Sequence, residues 1–255
     1  MPPSERCVVL FGEENRANRR FLPSGRMFCP LRFSVGQRQT LTCMALTLTQ
    51  EQGLIFRITH RDNVPWILDN GMYARNGAVF DPNYRNIGNL DLIDKRSRRL
   101  VGVPPGGTLS DYVPFYFTPY SIMMYNIRTG YGVKQVPNED IVIFVSSLPH
   151  VVAKGLRFVF TNQHAYPPMA DYFADLSQLD QIDWPLLQSR DFKHDPDDPG
   201  KKERYQAEAL IWKHVPLTAL RGACCYTPSV EQQLKAEIER RALAFKVGVQ
   251  QSWYF

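Results

Sequence analysis

Short apolar segments recur along this chain, and each is rich in β-branched or aromatic residues. Segments of this length and composition favour β-strands over helices. The segments predicted as strands are residues 54–60, 112–117, 141–145, 158–161, 206–212 and 245–249. Helical spacing of apolar residues is confined to residues 64–68, a turn that starts at Ser121, and residues 230–244. Asp62 is expected to cap the first of these helices, and Asn70-Gly71 is expected to end it. Because strands and helices do not alternate, the pattern predicts an α+β fold rather than a doubly wound sheet.

Two long polar stretches, residues 75–111 and 162–203, interrupt the predicted strands. Irregular stretches of this length inside a domain are usually functional or disordered. No Gly-x-Gly-x-x-Gly sequence follows a strand, and the chain has no Walker sequence. These observations argue against a Rossmann or P-loop nucleotide site.

The net charge of +5 lies mostly in the first 43 residues, which hold seven Arg, three Glu and no Lys. The remainder is close to neutral, so the basic pI does not indicate a general nucleic-acid surface. Residues 1–43 also lack sustained periodicity. We expect Met44 to be the native start and residues 44–255 to form one domain. The alternative is that residues 1–43 form a basic arm that binds nucleic acid.

The cysteines do not have the spacing of metal ligands: Cys224 and Cys225 are adjacent, and the other three lie before Met44. We therefore expect neither a metal site nor a disulfide framework. No apolar run has the length of a membrane span, and charged residues interrupt the first thirty positions. A cytoplasmic protein without a membrane partner is expected.

The triplet Gln206-Ala207-Glu208 opens the predicted strand over residues 206–212. Side chains two residues apart on a strand point to the same face, so Gln206 and Glu208 are expected to project together. A carboxylate and an amide on one face can orient a sugar and stabilise a developing positive charge. The alternative is a strand with a merely solvated polar face.

Several motifs in order resemble one known family. They are Ile-Phe-Arg-Ile-Thr-His (55–60), Asn-Val-Pro-Trp-Ile-Leu (63–68), Asp-Tyr-Val-Pro-Phe-Tyr-Phe (111–117), Ser-Ile-Met-Met (121–124), Phe-Thr-Asn-Gln-His-Ala-Tyr (160–166) and Gln-Ala-Glu-Ala-Leu (206–210). Together they resemble the DarT family, the toxins of DarT–DarG toxin–antitoxin systems, over residues 54–255.

The resemblance implies an ADP-ribosyltransferase fold related to the PARP group, with a split antiparallel sheet and long substrate loops. It implies transfer of ADP-ribose from NAD+ to a base, commonly thymine, in single-stranded DNA. It also implies a DarG-like macrodomain antitoxin as partner.

The resemblance makes Glu208 the catalytic glutamate and places Gln206 at the cofactor. In the basic run 95–99, Arg99 best matches the family's functional arginine by position, and Arg96 is the rival, expected at the cofactor pyrophosphate. The alternative for this run is a solvated cluster of charges.

The resemblance also places Thr59 and His60 at the nicotinamide or its ribose, although relatives begin this strand His-x-Thr and this chain has Arg57 there. His60 can instead cap the strand end. The resemblance further implies a cofactor role for Ser121 and Met124, which have the spacing by which PARP-like folds offer a hydroxyl to the carboxamide and a side chain to the nicotinamide ring. Ordinary core packing is the alternative for one of the two adjacent methionines.

Residues 162–203 correspond to the family's substrate loop, and Tyr166, Tyr172 and Trp184 are predicted to stack on DNA bases. Some of these rings must instead pack the loop, and Trp184, followed by Pro185 and two leucines, is expected to be such an anchor. Two other functions stay open from the residues. One is an RNA-directed or 2′-phosphate-processing transferase of the same fold, and the other is an inert nucleic-acid-binding module.

Overall fold

The computed structural model describes residues 46–255, so the predicted start at Met44 and the extension over residues 1–43 lie outside the described residues. The strands are β1 (Leu54–His60), β2 (Met72–Tyr73), β3 (Tyr112–Tyr116), β4 (Ile141–Ser147), β5 (Phe158–Thr161), β6 (Tyr172–Phe173), β7 (Glu208–Trp212), β8 (His214–Val215), β9 (Gly222–Cys225) and β10 (Val247–Val249). The helices are α1 (Val64–Asn70), α2 (Leu90–Arg96), α3 (Ile122–Thr129), α4 (Leu148–Ala153), α5 (Trp184–Ser189), α6 (Lys201–Arg204) and α7 (Pro228–Arg240).

Eight strands form one mixed sheet in the order β10-β9-β4-β1-β3-β7-β5-β6. Neighbouring strands are antiparallel except β9 and β10, which are parallel. β2 and β8 pair separately as a small second sheet. β4 is buried along its whole length and β1 along nearly all of it, which agrees with their continuous apolar sequences.

The large sheet is split between β1 and β3. These strands are in register only at Phe56 and Tyr116, whereas β1 and β4 pair over all seven residues. Pro114 has no backbone N–H to donate to a ladder, which prevents the pairing from continuing. The Arg57 guanidinium instead donates a hydrogen bond to the Pro114 carbonyl oxygen, at 2.7 Å. The split therefore leaves room beside Arg57.

The two faces of the β3-β7-β5 half carry different cores. Ala209 and Ile211 point into the main core, and α7 covers another part of that core with Val230, Leu234 and Ile238. Leu210 points the other way, into a smaller cluster that Val101, Leu109, Tyr112, Val159 and Ala165 complete. Because Glu208 and Leu210 are two residues apart on β7, Glu208 lies on the face of the smaller cluster.

Most predicted elements are present. The bounds of β1 and β5 are as predicted, and Gly71, with φ at 75°, ends α1 as expected. The prediction that Asp62 caps α1 is wrong, because Asp62 lies in a 3-10 turn, where its N–H donates to His60 Nδ1 at 3.1 Å. The residue before α1 is Asn63.

The two long polar stretches are more regular than their composition predicts. Residues 75–111 contain α2, and residues 162–203 contain β6, α5 and part of α6. Two of these helices begin at N-cap residues with short polar side chains. The Asn89 side chain accepts the Leu92 N–H at the start of α2, and the Asp183 side chain accepts the Leu186 N–H at the start of α5. No helix among residues 46–255 has the length and apolar character to cross a membrane.

Candidate active site

Glu208 is the first residue of β7, and only 2% of it is exposed. Arg96 Nη1 donates to both carboxylate oxygens, at 2.9 Å to Oε2 and 3.1 Å to Oε1. The backbone N–H of Ala165 donates to Oε1 at 3.1 Å. A buried carboxylate is tolerated only with such partners, because its hydration is lost. The carboxylate is therefore fixed in one orientation by two segments distant in sequence.

Arg96 reaches Glu208 because it ends α2, which starts at its Asn89 cap. Arg99, the residue favoured by position, lies elsewhere: its Nη2 donates to the Pro167 carbonyl at 3.2 Å. The structure thus brings Arg96, the rival, to the carboxylate, whereas Arg99 contacts residues 162–203 at Pro167 and Tyr172. Arg96 Nη2 is buried and has no hydrogen-bond partner among the described residues, so one donor is left for a ligand.

Two residues beside Glu208 were not predicted as site residues from the sequence. Tyr116 is the direct partner of Glu208 across β3 and β7. Burial and the nearby Glu208 charge raise the pKa of Tyr116 well above its ordinary value, so the phenol stays neutral. His164 Nε2 lies 3.8 Å from Glu208 Oε1. Burial lowers the pKa of His164 against the opposing effect of Glu208, which favours the neutral imidazole.

His164 lies within the Phe-Thr-Asn-Gln-His-Ala-Tyr motif, and its position in that motif was the available signal. Tyr116 could be found only from the register of β3 against β7, which a single sequence does not reveal.

A cleft of about 370 Å³ opens beside Arg96 at the split in the sheet. Its charged lining residues are Arg57, Arg75, Arg96 and Asp81, which leaves a net positive charge. Pro114 lies at the split, and Trp66, Tyr73, Phe80, Tyr84 and Tyr112 supply aromatic rings. Among the described residues, no carboxylate lies within ion-pair distance of Arg57. A cleft with an unpaired guanidinium, a free Arg96 donor and aromatic walls suits a dinucleotide with a negatively charged pyrophosphate.

Thr59 and His60 are buried at the end of β1, with 1% and 5% of each exposed. Thr59 Oγ1 accepts a hydrogen bond from Asn63 Nδ2 at 2.9 Å. His60 Nδ1 accepts the Asp62 N–H, which is the capping role considered as its alternative. Their contact with nicotinamide remains a prediction.

The assignment of Ser121 and Met124 to the cofactor does not fit this structure. Ser121 is the N-cap of α3, and its hydroxyl accepts the Met124 N–H at 3.2 Å. Met124 has no exposed surface and belongs to the main core, so it cannot stack on a ring.

The expected alignment of Gln206 with Glu208 is also wrong. The backbone at Gln206 still continues the turn of α6, with its N–H bonded to the Glu203 carbonyl, so β7 begins only at Glu208. The Gln206 side chain donates to the Lys202 carbonyl at 3.2 Å.

The three aromatic residues predicted to bind DNA lie in different surroundings. Trp184 packs edge-on against Phe117, and its indole N–H donates to the Leu179 carbonyl at 2.8 Å, as expected of an anchor. Tyr172 and Tyr166 are half-buried against the smaller cluster on the Glu208 face. The Tyr172 hydroxyl donates to the Ala165 carbonyl at 2.5 Å. Tyr172 thus supports the residue whose N–H holds Glu208.

Within residues 46–255, no three His, Cys, Asp or Glu side chains gather where they could hold a metal ion. Cys224 and Cys225 are both free thiols buried in β9. Burial raises the pKa of the Cys225 thiol to about 12, with a smaller contribution from Glu231. Both thiols are core residues rather than nucleophiles.

Comparison with known proteins gives one consistent result. A family model described as "ssDNA thymidine ADP-ribosyltransferase, DarT" matches residues 56–255. A "DNA ADP-ribosyl transferase" of Escherichia coli O127:H6 is 53% identical over 210 residues, which cover 82% of this chain and 96% of that relative.

Two solved structures agree in fold. Thermus sp. 2.9 DarT in complex with ADP-ribosylated ssDNA is 33% identical, with a TM-score of 0.75, and the match covers 83% of this chain and 100% of that chain. The complex of the same protein with NAD+ is 32% identical, with a TM-score of 0.71, over 80% and 98% of the two chains. The predicted α+β ADP-ribosyltransferase fold, the NAD+ co-substrate and the single-stranded DNA substrate are thereby confirmed. The chain belongs to the DarT family and is an NAD+-dependent ADP-ribosyltransferase of single-stranded DNA.

Proposed function

We propose that the chain modifies a thymine base and that Glu208 is its catalytic residue. The observation that carries the assignment is the carboxylate of Glu208, buried and held by Arg96 and the Ala165 N–H beside the cleft. The thymine assignment is supported by the description of the matching family model.

NAD+ supplies an ADP-ribosyl group whose ribose carbon gains positive charge as nicotinamide leaves. The fixed Glu208 carboxylate stabilises that positive charge because it needs no reorientation during the reaction. The same carboxylate accepts the proton of the attacking base nitrogen. Arg96 positions the carboxylate through Nη1, and its unpaired Nη2 is free to donate to the pyrophosphate. Arg57, on the opposite side of the split, is the second cation for that pyrophosphate.

The acceptor base enters from the side of residues 162–203. His164 is neutral near pH 7 because burial lowers its pKa, so it can exchange hydrogen bonds with a neutral base. Tyr166 and Tyr172, on the same face, offer ring surface to a splayed base. A paired base in duplex DNA hides its ring nitrogen, so single strands are the expected substrate.

Purified protein, NAD+ and short oligonucleotides test this proposal by mass spectrometry. A thymine-containing single strand should gain one ADP-ribose, while a single strand without thymine and a duplex should not. Modification of the strand without thymine would contradict the base assignment. Modification of RNA alone would favour the RNA-directed alternative.

The Glu208→Gln variant tests the catalytic role, because it preserves side-chain size and removes the charge. We expect the rate of transfer to fall on the order of 10²–10³-fold. Glu239→Gln, on the surface of α7, is the matched control and should keep the wild-type rate. A Glu208→Gln enzyme with the control's activity would rule out the assignment.

The antitoxin and the cytoplasmic location are also proposals, supported by family membership alone. A macrodomain protein encoded beside this chain should remove ADP-ribose from the modified oligonucleotide and restore growth on co-expression. A neighbouring macrodomain without effect on either would contradict this partnership.

A further inference from the structure

The middle of the segment 75–111 lies against the open side of the cleft. Val79, Phe80, Tyr84 and Asn86 all contribute to the cleft lining. The apolar side chains among them are nevertheless partly open to solvent, with 72% of Phe80 and 37% of Tyr84 exposed. This part of the chain therefore covers the cleft without the burial that would hold it in place.

One buried side chain ties this part to the sheet. Asn63, 1% exposed, accepts the Arg85 N–H through Oδ1 at 2.8 Å. Asn63 Nδ2 donates to the Arg85 carbonyl at 3.0 Å and to Thr59 Oγ1 at 2.9 Å. Both ends of one side-chain amide thus bind the backbone of one residue, Arg85, and anchor it to β1. Both Nδ2 hydrogens and the Oδ1 are in use, as expected for a buried amide.

The Arg85 side chain adds a second, exposed attachment. Its Nη1 donates to Asp62 Oδ2 at 2.6 Å and lies 3.3 Å from His60 Nε2. From residue 78 to residue 88, every hydrogen bond found between the described residues that leaves the segment involves Arg85. The remaining bonds of this part, at Asn83 and Tyr84, close back onto Asp81.

Asn63 lies where its side chain would ordinarily cap a helix, but the side chain binds Arg85 instead. Asn63 occupies the N-cap of α1, where an asparagine side chain ordinarily accepts a helix N–H. Here it makes no such bond, because the amide is turned toward Arg85 and Thr59. The start of α1 therefore has no side-chain cap, and the same side chain attaches residues 79–86 to the sheet.

We propose that Asn63 is a positioning residue for NAD+: by binding both the backbone N–H and the backbone C=O of Arg85, it holds residues 79–86 over the cleft. It sets the affinity for NAD+ and leaves the chemical step at Glu208 unchanged. The proposal rests on NAD+ occupying this cleft.

Asn63→Ser is the decisive variant, because serine caps a helix as well as asparagine but is too short to bind the backbone N–H and C=O of Arg85. We expect the KM for NAD+ to rise on the order of tenfold, as for loss of a buried hydrogen-bond pair. The kcat at saturating NAD+ and the KM for oligonucleotide should stay near wild type when measured well below the melting temperature, which the loss of buried hydrogen bonds lowers. Asn63→Asp, which places an oxygen against the Arg85 carbonyl, should raise the KM for NAD+ at least as much.

Two controls separate positioning from general stability. Asn70→Asp lies at the other end of α1, where the exposed amide only donates to the Trp66 carbonyl. It should change neither KM. Arg85→Ala removes the exposed ion pair but keeps the backbone N–H and C=O that Asn63 binds. Its effect on the KM for NAD+ should therefore be smaller than that of Asn63→Ser.

Calorimetry of NAD+ binding in a Glu208→Gln background gives the same answer without turnover. The dissociation constant should rise with Asn63→Ser by the same factor as KM. An unchanged dissociation constant in a folded variant would overturn the proposal. So would a parallel fall in kcat and oligonucleotide affinity, which marks a structural role. If the wild type binds NAD+ but transfers nothing to DNA, the acceptor assignment fails while the role of Asn63 is still decided.

Discussion

Residues 75–111 and 162–203 face each other across Glu208, and both were predicted as long irregular stretches. Each contributes to the carboxylate: the first through Arg96, and the second through Ala165 and His164. They differ in how they are held. The second is cross-linked within itself and to the core, whereas the middle of the first is attached at Arg85.

The second stretch is joined by two groups of charged residues. Arg204 bonds Asp183 and Asp198, and Lys201 bonds Asp191. Aromatic packing adds to these bonds, since Trp184 lies on Phe117, Phe192 on Tyr205 and Phe173 on Phe160. Stretches of similar polar composition are therefore attached to different extents. The second is bonded and packed at many points, whereas the middle of the first is bonded to the rest of the described residues through Arg85, as expected of a segment of low local stability.

Arg96 and Arg99 provide the largest test of this comparison, because one belongs to the catalytic contact and the other to loop packing. Arg96→Ala should lower the rate of transfer on the order of 10²–10³-fold, since Glu208 loses its charged partner. Loss of one member of a buried pair should also cost about 3–5 kcal/mol of stability, so rates are compared well below the melting temperature. Arg99→Ala should have a much smaller effect on the rate. The opposite ranking would restore Arg99 as the functional arginine.

Trp184→Ala tests whether the second stretch is framework. The ring packs on Phe117 and its N–H is satisfied by Leu179, so we expect about 3 kcal/mol of lost unfolding free energy. The KM for oligonucleotide should not change in the fraction that remains folded. A normal urea midpoint with weakened DNA binding would show that Trp184 stacks on a base instead.

Tyr172→Phe tests whether the hydrogen bond from Tyr172 to Ala165 helps to position the Glu208 carboxylate. The variant keeps the ring but removes the hydroxyl that donates to the Ala165 carbonyl. We expect about 1 kcal/mol of lost stabilisation, read as a several-fold lower kcat with an unchanged KM for oligonucleotide. If KM rises while kcat is retained, Tyr172 binds DNA through its hydroxyl.

The sequence predicted the parts of this fold that depend on local chemistry. β1 and β5 were predicted correctly because each is a short, continuous run of apolar residues. The end of α1 was predicted correctly because Gly71 readily takes the positive φ that ends a helix. Glu208 was singled out because it and Gln206 were expected on one face of a strand, and its catalytic role remains a proposal. The resemblance to DarT then supplied its chemistry.

The sequence left contacts unpredicted where tertiary packing decides between equal local choices. Arg96 and Arg99 have similar neighbours in the sequence, and only the end of α2 at Arg96 determines which one meets Glu208. Gln206 does not align with Glu208 because it lies in a turn that follows α6, where the sequence pattern had suggested a strand. Met124 and Met123 differ only in which face of α3 meets the core. Tyr116 depends on strand register, and Asn63 depends on a contact with Arg85, 22 residues away.

The smallest expected effect concerns the two histidines that serve the two stretches, His60 beside Arg85 and His164 beside Glu208. Burial lowers the pKa of both, so each takes up a proton more readily in the unfolded chain. Stability from this source is complete above pH 6.5 and is lost as pH falls from there through the folded-state pKa. The aspartates with lowered pKa, such as Asp198, lose their contribution only below about pH 4. Urea denaturation at pH 7.5 and 5.5 should therefore show lower stability at pH 5.5, by less than about 1.4 kcal/mol for each unit of histidine pKa difference. His60→Gln and His164→Gln should each reduce this dependence, and the double variant should reduce it most. A double variant with the full wild-type dependence would assign the pH response to other groups.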